Sequence, residues 1–220
     1  FSRNQATGAL TYVTRLVNTQ FSYAGDIAIS PNGQHIYVGD RIITRNLATG
    51  AHTVSGTGIP DFGSGQTMEI SPDGAFAYGT AYTGNKILIY SRNASTGVLT
   101  KLGEINTVNT PRDVMLSPDG GLVYVIGSGN NELAVFSRNA STGLLTEVSR
   151  FTDNTGGVDG LGFPYRLMQS ADGKHLYVKA NTDSAVGIFS RDAINPYTFT
   201  GTLELIPNAA PTGADNTVTI

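Results

Sequence analysis

Two short stretches place an arginine beside a group that can hold a proton: "TPRDV" at 110–114 and "FPYRL" at 163–167. The first supplies Arg112 and Asp113, the second Tyr165 and Arg166, and "GDI" at 25–27 adds Asp26. A carboxylate in such a setting can act as a general base, and a nearby guanidinium can stabilise an oxyanion or hold an anionic group. A second group lies in the glycine-rich segment "RFTDNTGGVDGLGFPYR" at 150–166, read as a binding loop. There Asp153 and Asp159 could meet a cation or a sugar hydroxyl, with Tyr165 at the loop's end. The carboxylate spacing and the absent closing glutamate do not make an EF-hand, so no metal is assigned and no cofactor is expected.

Other chemistries are excluded by composition. The 220 residues contain no cysteine, which removes disulfides, thiolate metal sites and a cysteine nucleophile. The histidines are His35, His52 and His175. His35 and His175 stand at matching places just past a turn, which reads as a solvated structural position rather than a catalyst or a multi-histidine metal site. The formal charge of −3, with 14 Lys and Arg, offers no basic field for nucleic acid or an anionic membrane surface. No apolar run reaches the length of a membrane span.

The elements that must position these residues are repeats. "ISPNGQHIYV" (29–38), "ISPDGAFAYG" (70–79), "LSPDGGLVYV" (116–125) and "QSADGKHLYV" (169–178) each read as two strands joined by a turn. Glycine takes the positive φ that closes such a turn, and in three copies proline fixes φ before it. Each is followed by an aromatic or Ile, then x-Arg-Asn/Asp, beginning at Ile43, Tyr90, Phe136 and Phe189, with Phe1 as an earlier copy. In four copies, those beginning at Phe1, Ile43, Tyr90 and Phe136, a second turn through Asn-x-x-Thr-Gly follows. Four short strands at a period of roughly 45 residues predict an all-β chain, a β-propeller of four-stranded antiparallel blades. The strands of one unit are A and B around the Ser-Pro-Asp-Gly turn, then C and D around the Asn-x-x-Thr-Gly turn.

Blades are expected at 25–56, 66–104, 111–150 and 164–206, with a half blade at 1–16 and a tail or closing strand at 207–220. Strand A contributes Ile27, Ile29, Met68, Ile70, Val114, Leu116 and Leu167 to the core, and strand B a column of Tyr37, Tyr78, Tyr124 and Tyr177. The column Arg3, Arg45, Arg92, Arg138 and Arg191 recurs in every copy, which marks a blade-building role such as pairing with the adjacent turn. Asn93 and Asn139 open formal glycosylation sequons on C–D turns, although asparagine suits those turns by itself. Five blades at ~46 residues each would need roughly 230 residues, close to this length, whereas seven blades would need roughly 320.

The stretch "TPRDVMLSPDGGLVYVIGSGNNELAVFSRNASTGLLTEV" (110–148) resembles the repeats of the lactonase-type β-propellers, the 6-phosphogluconolactonase-like family. The resemblance implies a propeller. As one reading it also implies a lactone hydrolase, with Asp113 or Asp26 as base and Arg112 or Arg166 on the oxyanion or a phosphate. Strand A entries in that family often read Pro-Arg-His, whereas no histidine stands at any entry here. The main functional expectation is therefore a secreted or cell-surface structural or binding protein that self-assembles by strand exchange. Its partners would be other copies of the chain or carbohydrate, with neither nucleic acid nor membrane insertion. The mid-blade start leaves three ways to finish the ring: a longer chain, closure by the C-terminal strand, or a second copy.

Overall fold

A computed structural model describes residues 2–16, 25–62, 65–191 and 199–200. The short N-terminal hairpin of β1 (Ser2–Arg3) and β2 (Leu10–Thr11) forms its own two-stranded sheet. Four antiparallel sheets of four strands follow, each built from consecutive segments. The first comprises β3 (Ile27–Ile29), β4 (His35–Val38), β5 (Arg41–Arg45) and β6 (His52–Gly58). The second comprises β7 (Gly65–Ile70), β8 (Phe76–Ala81), β9 (Lys86–Arg92) and β10 (Leu99–Asn106). The third comprises β11 (Pro111–Leu116), β12 (Leu122–Gly127), β13 (Glu132–Arg138) and β14 (Leu145–Thr152). The fourth comprises β15 (Pro164–Gln169), β16 (His175–Ala180), β17 (Ala185–Arg191) and β18 (Phe199–Thr200). The inner strands β3, β7, β11 and β15 neighbour one another in that order, which is the radial stacking of propeller blades. The expected closing strand at 207–220 lies outside the described residues.

Each turn closes itself with its own side chains. In the third sheet Ser117 Oγ accepts from Leu122 N (2.9 Å) and donates to Asp119 Oδ1 (2.5 Å), and Gly120 takes φ 69°. Asn139 Oδ1 accepts from Ser141 N and Thr142 N, both at 3.0 Å, before Gly143 at φ 74°. Asn4, Asn46 and Asn93 make the same pair of bonds. The sequon asparagines Asn93 and Asn139 therefore do what Asn4 and Asn46 do in turns without a sequon.

Between sheets the two repeated columns meet. Tyr78 donates its hydroxyl to Gly143 O (2.8 Å), and Arg138 Nε donates to the same hydroxyl (2.9 Å). Arg138 also donates to Gly120 O of its own sheet (3.1 Å) and to Asp73 Oδ2 of the preceding one (2.5 Å). Tyr37, Gly97, Arg92 and Gly74 O repeat the pattern one sheet earlier. Arg92, Arg138 and Arg191 thus play the blade-building role expected of the arginine column, whereas Arg3 is exposed on the separate hairpin. Around each joint lies one apolar cluster, centred on Tyr37, Ile42 and Leu88, then on Ile87, Val114 and Val125, then on Leu133, Leu167 and Val178.

Two expectations fail. Ile27 and Ile29 are 67% and 57% exposed, because no sheet among the described residues covers that face of β3. His35 is fully buried rather than solvated: the sheet behind it lays the 93–98 turn over its ring, and Arg92 Nη2 bonds its Nδ1 at 2.8 Å.

Candidate functional site

The residues with chemistry stand where the inner strands begin. Counted back from the serine of each A–B turn, Asp26, Thr67, Asp113 and Arg166 occupy one and the same repeat position. Gly25, Gln66, Arg112 and Tyr165 precede them. The A–B register slips between Gly65 and Met68, between Pro111 and Asp113, and between Pro164 and Arg166. Each slip is a bulge at the strand entry, a device that re-aims side chains away from the regular pleat. Gly25, Thr67, Arg112, Tyr165 and Arg166 line a polar cavity of about 30 Å³ there.

Arg166 reaches across the strand entries. Its Nη1 lies 3.7 Å from Asp113 Oδ1 and 4.0 Å from Asp26 Oδ1, ion-pair distances longer than a direct hydrogen bond. Asp113 is buried; its Oδ2 accepts from Leu167 N (2.8 Å) and its Oδ1 from Val114 N (3.0 Å). Burial pushes its carboxyl up to about 6, against the pull of the Leu167 amide and the Arg166 charge. Glu69, two residues beyond Thr67 on β7, is pushed up to about 7 by burial and by the charges of Asp113 and Asp26. Glu69 was not among the residues picked from sequence. Its signal was there, since the same place in the other repeats holds Ala28, Met115 and Met168.

Arg112 is fixed differently. Its Nε donates to Ser128 Oγ (2.9 Å), and its guanidinium lies 5.0 Å from the Tyr82 ring centroid and 5.1 Å from that of Phe163. The clamp is held by an unusual backbone, with Phe163 at φ 52° and its N–H bonded to Asn131 Oδ1 (3.0 Å). Positive φ in a bulky residue signals strain that its surroundings enforce. Two aromatic faces and one hydrogen bond leave the Nη fork preorganised at the cavity wall.

The 150–166 segment divides. Tyr165 belongs with the strand-entry group, while Asp153 and Asp159 meet Asp183 from the β16–β17 connection. Their carboxylate oxygens lie within 4.8 Å of one another, a spacing a cation could use. Each also accepts one of three successive amides: Gly160 N to Asp159 (2.8 Å), Leu161 N to Asp153 (3.0 Å) and Gly162 N to Asp183 (2.6 Å). These bonds hold Leu161 in the core, where it is fully buried.

The family model described as lactonase, 7-bladed beta-propeller, matches residues 1–159. The chain belongs to that family. Among solved structures, the periplasmic gluconolactonase of Pseudomonas aeruginosa superposes with a TM-score of 0.67 at 20% identity, over 83% of this chain and 53% of that one. A candidate 6-phosphogluconolactonase of Bacteroides uniformis gives 0.64 at 21%, over 82% and 52%. A protein of Lactobacillus plantarum gives 0.67 at 23%, over 91% and 61%. At these identities the neighbours establish the fold alone, and this lactonase-family chain spans about half the length of the first two. The chain matches no curated protein. Family membership overturns the expectation of a structural protein that self-assembles into filaments, and favours the lactone hydrolase weighed beside it. The P. aeruginosa neighbour is described as periplasmic, and the extracellular or cell-surface placement expected from sequence gains no support beyond it.

Proposed function

We propose that this lactonase-family propeller hydrolyses a lactone at the strand entries. The observation that carries the reading is the convergence of Asp113, Glu69, Asp26 and Arg166 around one bulged strand-entry position, with Arg112 at the same cavity. Asp113, ionised at neutral pH, takes a proton from the attacking water. The cavity of about 30 Å³ has room for about one water, so the lactone ring sits at its mouth. Arg166 turns its Nη1 from the carboxylates to the developing oxyanion. Glu69, close to half protonated at neutral pH, returns a proton to the ring oxygen as the acyl C–O bond breaks. Atoms balance as lactone plus water giving the hydroxy acid. Arg112, with its clamped fork, suits an anionic substituent such as a carboxylate or phosphate.

No histidine stands at a strand entry of this chain, unlike the pattern the resemblance implied, and the proposal therefore gives the base role to a carboxylate. The test is a panel of gluconolactone and 6-phosphogluconolactone followed by acid release in a pH-stat. Asp113→Asn is expected to lower turnover by about 100-fold, the usual scale of a removed general base, with the circular dichroism spectrum kept. Arg112→Ala is expected to raise KM for the phosphorylated lactone more than for the neutral one. Turnover unchanged in both variants overturns the assignment.

A further inference from the structure

The joint between the first and second sheets is built unlike the other two. At the second joint Asp73 pairs with Arg138, and at the third Asp119 pairs with Arg191. The corresponding turn of the first sheet reads Ser30-Pro31-Asn32-Gly33, so a neutral amide replaces the acid. Arg92 therefore lacks the ion pair its counterparts make, and donates through Nη2 to His35 Nδ1 at 2.8 Å. His35 stands where the next two sheets carry Phe76 and Leu122.

That bond fixes the imidazole's state. An Nδ1 that accepts from a guanidinium must carry a lone pair, so the proton sits on Nε2. Nε2 is buried and has no hydrogen-bond partner among the described residues. The ionisable groups facing the ring are Tyr37 of its own strand, whose hydroxyl accepts from Arg92 Nε at 2.6 Å, and Arg92 of β9. From the 93–98 turn Gly97 packs so close that a Cβ there would strike the ring. Among the described residues no carboxylate stands beside His35 and Arg92 to receive a second positive charge.

We propose that this joint is an acid-sensitive latch: protonation of His35 removes the acceptor for Arg92, sets two cations together, and opens the first sheet from the second while the ion-paired joints stay shut. Burial, with the Arg92 charge, lowers the affinity of His35 for a proton from its ordinary 6.5, so the open form binds the proton more tightly. The sign follows: a depressed folded value means that closure is complete above about 6.5 and is lost as pH falls.

The test is amide hydrogen exchange on the intact chain from pH 7.5 to 5.5, corrected for intrinsic rates. Protection of β4 and the 93–98 turn is expected to fall about tenfold by pH 5.5, the limit set by one proton. The equivalent 139–144 turn, which docks on Phe76, is expected to hold. His35→Phe, and Asn32→Asp with His35→Phe, should remove the difference between the two turns. NMR titration of the wild-type imidazole provides a reading independent of any variant. An Nε2–H tautomer titrating below 6.5 supports the latch. Equal loss at both turns, an unchanged response in His35→Phe, or titration at or above 6.5 overturns it.

Discussion

Replacing Arg138 by alanine should cost far more than replacing Arg3, although the two belong to one repeated column. Arg138 is buried and donates to Tyr78 Oη, Gly120 O and Asp73 Oδ2, with its guanidinium 5.2 Å from the Phe76 ring centroid. Truncation leaves Gly120 O without its donor and opens a void across the joint. Tyr78 still donates to Gly143 O, and Asp73, with 41% of its side chain exposed, can be rehydrated. Removing one partner of a buried, hydrogen-bonded charge pair costs about 3–5 kcal/mol. The rehydration of Asp73 argues for the lower half of that range. Arg3 is exposed on the separate hairpin, and its truncation should stay within about 0.5 kcal/mol. In urea, at an m of about 2 kcal/mol/M, the Arg138→Ala midpoint should drop by roughly 1.5–2 M with m unchanged. Equal shifts for Arg3→Ala and Arg138→Ala would refute the reasoning, since the sequence column alone, and not the presence of a preceding sheet, would then set the cost.

Two further substitutions probe neighbouring parts of the frame. Gly143→Ala sets a Cβ into the Phe76 ring at φ 74°, whereas Gly50→Ala at φ 73° meets nothing within 4 Å. Gly50→Ala should cost about 1 kcal/mol and Gly143→Ala at least 2 kcal/mol more, read from thermal midpoints; matching costs would deny the close approach. Glu69→Gln should stabilise the chain at pH 8 by about 1–3 kcal/mol and leave it nearly unchanged at pH 4. The native state holds the Glu69 proton up to about 7, so stability falls as pH rises from the ordinary carboxyl value through that point. A Tm gain independent of pH would rule this out.

The frame was legible in sequence because its residues repeat. Serine, glycine, tyrosine and arginine recur at fixed places, and each recurs to close a turn or a joint. Position in a repeat does not, however, report what lies against it. Ile27 and Ile29 align with the buried Met68 and Ile70, yet face no described sheet. His35 reads as a surface residue until the next sheet's turn is laid over it. The strand-entry residues Asp26, Arg112, Asp113 and Arg166 were visible as candidates, but their meeting around Arg166 was not, because it depends on bulges and on the stacking of four separate sheets. Glu69 was missed because a single acid in "TMEI" looks like ordinary strand alternation.

The same logic separates frame from chemistry within this fold. A residue kept in every repeat answers a need that every blade has, and its loss should be felt as stability. A residue that differs from its counterparts answers a local need. Asp26, Thr67, Asp113 and Arg166 share one position, yet no blade requires that mixture of an acid, a hydroxyl, a second acid and a base. Asp113, buried, and Glu69, half-buried, both have raised carboxyls, at the expense of stability above neutral pH. A site that only joined blades would gain from apolar residues at these places, as it does at Val114 and Leu167 beside them. Retaining ionisable groups there is the arrangement expected where proton transfer, rather than packing, is the function of the strand entries.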